Sequence, residues 1–506
     1  MNITLGINSN HADSSCSIFI DNELVFGIEE ERLNRIKHWA GFPEKSIEKS
    51  LSYIKDNNIK EIDVAINTNP FSNIKKKSIY GFKNYILGKK KLEIFNRLSK
   101  KIKLRQTLER KFNYKFKIKY IDHHLSHISS AYYPSGFKKA FALSVDGFGD
   151  FCSLVIAKCE NGKINVIDKI YYPNSLGIFY EGFTQFLGFE NYGDEYKVMG
   201  LSSYGKPKYY DLINDNFFNK GNSIELNLNL FNHQRRNFVY NFDGIPKQNA
   251  ILNKKTCNLF DVEKLSIKNN FQYVSDIASS LQLVFEKKLN FILENLAKSN
   301  FSSNLVLSGG CALNSLFNGK ILEKKIFKNI FVPYSAGDSG GGIGAGLFYL
   351  SKFKKYSSFK NIRNPYIGTN YSQKEIDLIL SKFESNKFKK IYFSTESELN
   401  QKVVELLINS KIIGWFSGKM EYGPRSLGNR AILANPADKN MKEIINSKIK
   451  RRENFRPFAP VILIEEKKNW FRTDSLNPFM SFVETILPDK RIEIPSVTHV
   501  DGTGRV

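Results

Sequence analysis

The chain has 506 residues, which is too long for one hydrophobic core and predicts two large domains or about three smaller ones. Apolar residues at 42% and charged residues at 25% are typical of a globular protein and exclude a disordered chain. The five cysteines are odd in number and lack C-x-x-C spacing, which argues against a disulfide framework or a structural zinc site. Without a long apolar run or a secretory signal, the sequence predicts a soluble cytoplasmic protein with no integral membrane segment.

The formal net charge of +25 is concentrated in one stretch. Phe71–Tyr120 holds 17 Lys and Arg against two acids, with apolar residues between them. This pattern predicts a basic helical excursion of one or two amphipathic helices. It is either a peripheral contact for an anionic surface such as a membrane or a solvated helical hairpin. Because no recognition motif accompanies the charge, nucleic acid is not the expected partner.

The N-terminal part alternates short strands with helical runs, which predicts an α/β fold. The first three strands and their connections form a unit that is repeated later in the chain. Each copy consists of a strand, a loop that contains an aspartate, a strand that begins with Cys-Ser, a turn and a third strand. The predicted strands are Ile3–Ile7, Cys16–Ile20, Leu24–Ile28, Ala142–Val145, Cys152–Ala157 and Ile164–Asp168. The repeat indicates an internal duplication. Two such hairpin loops are typical of the actin and sugar-kinase superfamily, where small residues let backbone N–H groups contact phosphate oxygens.

The run His-His-Leu-Ser-His at residues 123–127 holds three of the seven histidines. On a helix, His123 and His127 share one face and could bind a metal together. His124 stands where a zinc protease would need a glutamate, so that function is excluded. Asp146 ends a buried strand, and Asp338 lies in a Gly-rich loop. Two imidazoles and two carboxylates suit Fe²⁺, Mn²⁺ or Zn²⁺.

A second histidine candidate, His11, lies in the loop after the first strand. Its ordinary pKa near working pH suits a general base, although a capping or solvent-exposed histidine fits the same position.

Two Gly-rich turns predict nucleotide contacts. The strand Asn304–Leu307 runs into Gly309 and Gly310, with a helix expected from Cys311. A second loop, residues 335–342, contains Gly340 and Gly341, and a helix is expected from Ile343. Such turns place backbone amides and a helix N-terminus against a ligand.

A change of composition predicts that residues 1–350 form the first domain, 351–364 a linker and 365–506 a second α/β domain. The elements expected there are helix Gln373–Glu384, strand Ile391–Ser394, helix Ser397–Leu407 and strand Ile412–Phe416. Arginines then cluster around glycines, and their guanidinium groups fit phosphate bidentately. The candidate phosphate-binding residues are Arg425, Arg430, Lys450, Arg452 and Arg456.

From Leu5 to its end, the chain resembles the O-carbamoyltransferases of nodulation factors, cephalosporins and aminoglycosides. The motifs that carry the resemblance are His11–Ser14 with Glu29–Arg32, Asp122–His127, Asp194–Leu201, Leu307–Asn314, Gly337–Gly340, Gly423–Arg430, Phe455–Pro460 and His499–Thr503.

The resemblance implies an actin-like, sugar-kinase-like domain followed by a YrdC-like domain. The YrdC-like domain would form carbamoyl adenylate from carbamoyl phosphate and ATP with Mg²⁺. The actin-like domain would transfer the carbamoyl group to a hydroxyl of a small-molecule or glycan acceptor. By position, His11 matches the proposed base, and His123, His127, Asp146 and Asp338 match ligands of a metal that is usually iron. Gly309, Gly310 and Asn314 match the adenylate-binding turn, and Arg505 joins the carbamoyl-phosphate and ATP motifs.

Two other functions remain open at this point. A threonylcarbamoyladenosine-type tRNA-modifying enzyme shares both domain types, and the basic stretch would suit tRNA. A non-enzymatic actin-like nucleotide switch shares the fold but does not need the His/Asp set. The chain also stops at Val506, where the family continues, so we expect a truncated second domain with an unpaired sheet edge or an exposed apolar face.

Overall fold

The computed structural model describes residues 1–55, 58–85, 103–219, 221, 223–235, 238–241, 244–262, 270–383 and 388–506. The chain divides into two compact units. The first comprises Met1–Asn364 with Ser481–Val483, and the second comprises Pro365–Met480 with Glu484–Val506.

The first unit contains two five-stranded sheets of matching connectivity. Its strands are β1 Ile3–Asn8, β2 Ser15–Ile20, β3 Glu23–Glu29, β4 Glu61–Ile66, β5 Lys115–Tyr120, β6 Lys139–Gly149, β7 Cys152–Glu160, β8 Lys163–Tyr171, β9 Tyr240–Asn241, β10 Lys247–Gln248, β11 Asn304–Ser308 and β12 Asn329–Phe331. The first sheet has the order β3-β2-β1-β4-β5, and the second has β8-β7-β6-β11-β12. Each is an antiparallel meander extended by two parallel strands. The repeated order confirms the predicted duplication and the actin-like α/β fold.

Helices connect these strands and pack against the sheets. They are α1 Glu30–Asn34, α2 Glu44–Leu51, α3 Ile74–Tyr85, α4 Leu104–Lys111, α5 His123–Ser135, α6 Leu176–Phe186, α7 Glu195–Leu201, α8 Tyr210–Phe217, α9 Lys255–Leu259, α10 Phe271–Lys298, α11 Ser315–Glu323 and α12 Asp338–Phe353. Glycines let α12 approach its neighbours closely. A methyl group at Gly344 would overlap the Ser126 carbonyl oxygen on α5, and one at Gly346 would overlap the Phe19 ring on β2. The sequence Gly-Gly-Gly-Ile-Gly-Ala-Gly therefore makes α12 a helix that can pack on both a sheet and a helix.

The second unit is also α/β, with smaller sheets. The remaining elements are α13 Gln373–Leu380, α14 Glu396–Ile408, β13 Ile413–Phe416, β14 Arg430–Leu433, α15 Met441–Ile444, a π-helical turn Ile445–Lys450, β15 Val483–Thr485 and β16 Thr503–Arg505. Its surface carries exposed apolar side chains, among them Val461 and Ile492, which are 90% and 85% exposed.

Several predicted elements are corrected. Residues 391–394, which were expected to form a strand, are irregular and pair with no strand among the described residues. Tyr392 in this segment is 70% exposed. The helix expected from Cys311 begins at Ser315 after a 3-10 turn, and that expected from Ile343 begins at Asp338. Both shifts arise because a cap side chain or a glycine, not the first apolar residue, starts the helix.

The basic stretch is not a helical excursion throughout. Its described parts are α3, α4 and then β5, which pairs in parallel with β4. Residues 86–102, the centre of the predicted excursion, lie outside the described residues. Within the described part of the chain, no helix combines the length and apolar character needed to cross a bilayer.

We expect Gly344→Ala to destabilise the first unit by about 1–3 kcal/mol, because the added methyl forces α12 away from α5. Gly81→Ala is the matched control. Gly81 lies on α3, and a methyl group there would meet no atom of the described residues, so alanine should stabilise the helix by about 0.5–1 kcal/mol. Urea unfolding of both variants measures the two effects, and equal changes would contradict the packing argument.

Candidate metal centre and anion site

The N-terminus of α5 is held by two carboxylates outside the helix. Asp122 caps it by accepting hydrogen bonds from His124 N and Leu125 N at 3.1 and 3.2 Å. Asp150 accepts from His123 N at 2.8 Å. These bonds satisfy amides that a helix start leaves unpaired, and they fix the position of the first turn. In the sequence, Asp122 belongs only to a family motif, and Asp150 is only the aspartate of a repeated loop. Their role at the start of α5 could not be predicted, because their partners are backbone amides.

The four predicted metal ligands come together, although they are more than 200 positions apart in the sequence. Nε2 of His123 and Nε2 of His127 are 3.0 Å apart. The same two nitrogens lie 3.2 and 3.0 Å from Asp146 Oδ2, and 3.5 and 3.4 Å from Asp338 Oδ1. All four side chains are buried. Asp146 reaches the cluster because the β6–β7 ladder is interrupted between Val145 and Gly149, which turns it out of the pairing.

Opposite charges dominate this cluster. Burial alone would raise the pKa of Asp146, but hydrogen bonds from His123 and His127 hold it well below its usual value. Burial alone would lower the pKa of His127, yet the neighbouring carboxylates of Asp146 and Asp338 raise it to about 9. The two imidazoles and two carboxylates therefore stabilise charge in a place where solvent does not reach.

The donor set fits a transition-metal ion. Ligands bound about 2.1 Å from one ion lie about 3.0–3.4 Å apart at octahedral or tetrahedral angles, and the observed separations of 3.0–3.5 Å are close to this range. Asp338 Oδ1 is buried and has no hydrogen-bond partner among the described residues, so it has a lone pair to offer. Two nitrogens and two carboxylate oxygens suit Fe²⁺, Mn²⁺ or Zn²⁺.

His11 stands beside the cluster. Its Nδ1 lies 2.9 Å from Asp338 Oδ2, so the two oxygens of Asp338 face different groups. The loop that carries His11 is held by Asn8, whose Nδ2 donates to the carbonyl oxygens of Ala12 and Asp13 at 2.8 and 3.0 Å. This bonding keeps the imidazole at the edge of the cluster, where its side chain is 24% exposed.

The predicted nucleotide residues fall into two groups. Gly309 has φ +84°, and a methyl on Gly310 would lie 3.0 Å from Asp146 Oδ1, so this turn adjoins the predicted metal ligands. Asn314 ends the turn and caps α11. Gly340 and Gly341 lie inside the first turn of α12, packed against the Ser335 carbonyl oxygen and Asn67. Their nucleotide role stays a prediction.

In the second unit, like charges gather around Arg505, which is half-buried. Burial lowers the pKa of Arg505, and the positive charges of Arg425, Arg452 and Arg456 lower it further. Burial and the charges of Arg452 and Arg456 likewise lower the pKa of Lys450. Nε of Arg505 is buried and has no hydrogen-bond partner in the described part of the chain. Such a cluster is costly unless an anion compensates it.

Glu421 shapes the loop that carries Arg425, and sequence reasoning missed it. It is 1% exposed, and its Oε1 accepts hydrogen bonds from Leu427 N, Asn429 N and Arg430 N at 2.8, 2.9 and 3.1 Å. The second oxygen lies 4.0 Å from Arg430 Nε. The glutamate precedes Tyr422-Gly423-Pro424-Arg425 directly, but three backbone partners leave no sequence signal.

Known proteins resemble this chain along its whole length. The Carbamoyltransferase N-terminus family matches residues 3–347, and the Carbamoyltransferase C-terminus family matches residues 404–506. Protein sll1178 of Synechocystis is 31% identical over 99% of this chain and 85% of its own. Nodulation protein NolNO of Sinorhizobium fredii is 30% identical over 98% and 69%.

Nodulation protein NolO of Bradyrhizobium diazoefficiens is 32% identical over 76% of this chain and 67% of its own. Among solved structures, HypF of T. kodakarensis aligns with 72% of this chain and 49% of its own at 12% identity and a TM-score of 0.35. That likeness adds nothing to the fold assignment, which depends on the sheet topology.

We expect His127→Asn to abolish metal binding, because asparagine cannot place a nitrogen where Nε2 lies. His124→Asn is the matched control. His124 is on the same helix, but its Nδ1 bonds Ser144 Oγ at 2.8 Å, a contact that an asparagine nitrogen can imitate. Metal analysis of the purified proteins should show about one ion per chain for the control and about none for His127→Asn. Equal metal contents would contradict the assignment.

Proposed function

The chain belongs to the carbamoyltransferase family, and we propose that it is an ATP-dependent O-carbamoyltransferase. In this proposal, water cleaves carbamoyl phosphate to carbamate and inorganic phosphate. An oxygen of carbamate then attacks the α-phosphorus of ATP, which gives carbamoyl adenylate and releases pyrophosphate. The carbamoyl group then passes to a hydroxyl of a sugar-like or natural-product acceptor, and AMP leaves. The observation that carries the proposal is the convergence of His123, His127, Asp146 and Asp338 beside His11.

His11 is proposed as the base of the transfer step. Because Nδ1 faces Asp338 Oδ2, a proton on Nδ1 is held there and Nε2 keeps a lone pair for the acceptor hydroxyl. As the alcohol oxygen bonds to the carbamoyl carbon, its proton moves to Nε2 and the bond to the adenylate phosphate breaks, with the electron pair leaving on AMP. Asp338 orients the imidazole and stabilises its protonated form.

Four side chains are proposed to hold the metal, and Fe²⁺ is our first choice, with Zn²⁺ and Mn²⁺ as alternatives. When bound, such an ion supplies Lewis-acid stabilisation of phosphate or carbonyl oxygen charge. His123 and His127 contribute neutral nitrogens, and Asp146 and Asp338 contribute the negative charge that balances a divalent ion. The rigid first turn of α5 limits how far the two imidazoles can move.

The second unit is proposed to bind carbamoyl phosphate and ATP with Mg²⁺. Support comes from Arg505, a half-buried arginine beside other cations, whose buried Nε finds no acceptor in the described part of the chain. Phosphate oxygens would provide the missing acceptors and offset the repulsion. The assigned residues are Arg425, Arg430, Lys450, Arg452, Arg456 and Arg505.

We expect His11→Asn to lower carbamoyl transfer by about 10²–10⁴-fold while pyrophosphate release from ATP continues. Asparagine can still meet Asp338 through its amide, but it has no nitrogen where Nε2 lies. The assay combines carbamoyl phosphate, ATP and a panel of hydroxylated sugars, with product mass spectrometry for transfer and a separate pyrophosphate measurement. Equal loss of both half-reactions would show that His11 is structural.

We expect Arg505→Met to raise the melting temperature of the ligand-free protein, because it removes a half-buried charge from among like charges. The same change should remove most of the stabilisation that carbamoyl phosphate gives the wild type. Lys448→Met, at an exposed lysine of the same unit, is the control and should leave that stabilisation in place. Unchanged stabilisation of Arg505→Met by carbamoyl phosphate would remove Arg505 from the site.

A further inference from the structure

Asn314, the last residue of the Gly309–Asn314 turn, is paired with a glutamine of a different helix. Its Oδ1 accepts from Phe317 N at 3.0 Å, which caps α11. Its Nδ2 donates to Gln282 Oε1 at 2.9 Å, and Gln282 Nε2 donates back to Asn314 Oδ1 at 3.1 Å. The two amides thus form a reciprocal pair between α10 and the turn.

Gln282 is 2% exposed and has every hydrogen-bonding position filled. Its Oε1 also accepts from the Tyr180 hydroxyl at 2.9 Å, and its Nε2 also donates to Glu286 Oε1 at 2.9 Å. Glu286 in turn accepts from Lys320 Nζ at 2.8 and 2.9 Å. A glutamine amide has two donors and two acceptor positions, so Gln282 has no capacity left.

The direction of this chain of hydrogen bonds is fixed at both ends. An ammonium group and a backbone N–H can only donate, so Lys320 sets the orientation at one end and Phe317 N sets it at the other. Neither amide can turn over without placing two donors or two acceptors together. Both lone-pair positions of Asn314 Oδ1 are then used, and one N–H of its Nδ2 remains once its bonds to the described residues are counted.

We infer that Gln282 is a positioning residue that locks Asn314 so that this one remaining N–H is offered to the nucleotide. The ligand atom that meets it must be a hydrogen-bond acceptor, such as an unprotonated ring nitrogen of the base or a ribose oxygen. The inference depends on the proposed nucleotide function of the turn. It adds that a buried network reaching Lys320 determines how the turn recognises its ligand.

The energetic consequence is specific to binding. A net hydrogen bond contributes about 0.5–1.5 kcal/mol, which corresponds to a loss of about two- to tenfold in affinity. Without Gln282, Asn314 keeps only its bond to Phe317 N and can rotate away from the ligand. Gln282→Met keeps the length of the side chain but removes both reciprocal bonds.

The experiment is a double-mutant cycle on the full chain, with ADP binding measured by calorimetry. Asn314→Ala and Gln282→Met should each weaken ADP binding by about two- to tenfold, and the double variant should be no weaker than Asn314→Ala alone. Tyr180→Phe removes a bond to Gln282 but leaves the amide pair, so its effect on affinity should be smaller. Melting temperatures, recorded in parallel, separate stability from binding.

The outcomes distinguish the inference from the function on which it depends. If Asn314→Ala binds ADP as the wild type does, the nucleotide does not contact this turn, and both fail. If Asn314→Ala weakens binding but Gln282→Met does not, or Gln282→Met weakens it equally in both backgrounds, only the positioning role fails. Deaza-adenine and 2′-deoxy analogues of ADP then identify the acceptor. An analogue that lacks the acceptor atom should bind the wild type and Asn314→Ala with equal affinity.

Discussion

The close approach of α12 to its neighbours is the constraint on which the site depends. Asp338 is the first residue of α12, and His123 and His127 lie on α5, so the distance between these helices sets the distance between their ligands. Gly344 lies against the Ser126 carbonyl oxygen, one residue before His127. A side chain at that glycine would separate the carboxylate from the imidazoles. The glycines of α12 therefore hold the proposed metal ligands close together through packing.

Asp338 joins two parts of the proposed chemistry in one side chain. One oxygen faces the imidazoles of His123 and His127, and the other faces His11. Its place at the N-terminus of a 16-residue helix favours the ionised form, since the helix dipole is positive there. The ionised form is also the one that a metal and a base both need. Its loss would therefore affect the proposed metal site and base together.

Local patterns could be predicted from the sequence, and contacts distant in sequence could not. The placement of His123 and His127 on one helix and the repeated strand order were predicted correctly, because each follows from a short motif or its recurrence. Lys115–Tyr120 was assigned to the basic excursion on charge, although its alternation places Phe116 in the core and lysines outside, as in a strand. Gln282 carried no signal, because only the folded chain brings it to Asn314.

The two proposed ligand sites differ in how the protein balances their charge. In the first unit, the imidazoles of His123 and His127 offset the buried carboxylates of Asp146 and Asp338 without a ligand. In the second unit, the positive charges of Arg425, Arg452 and Arg456 act on the half-buried Arg505, and like charges repel. This repulsion lowers the stability of the ligand-free protein, and an anion that binds only the folded form returns that free energy as affinity and as added stability. Clustered like charge therefore marks the proposed site of the second unit, whereas the first is marked by metal-binding side chains that converge from distant parts of the sequence.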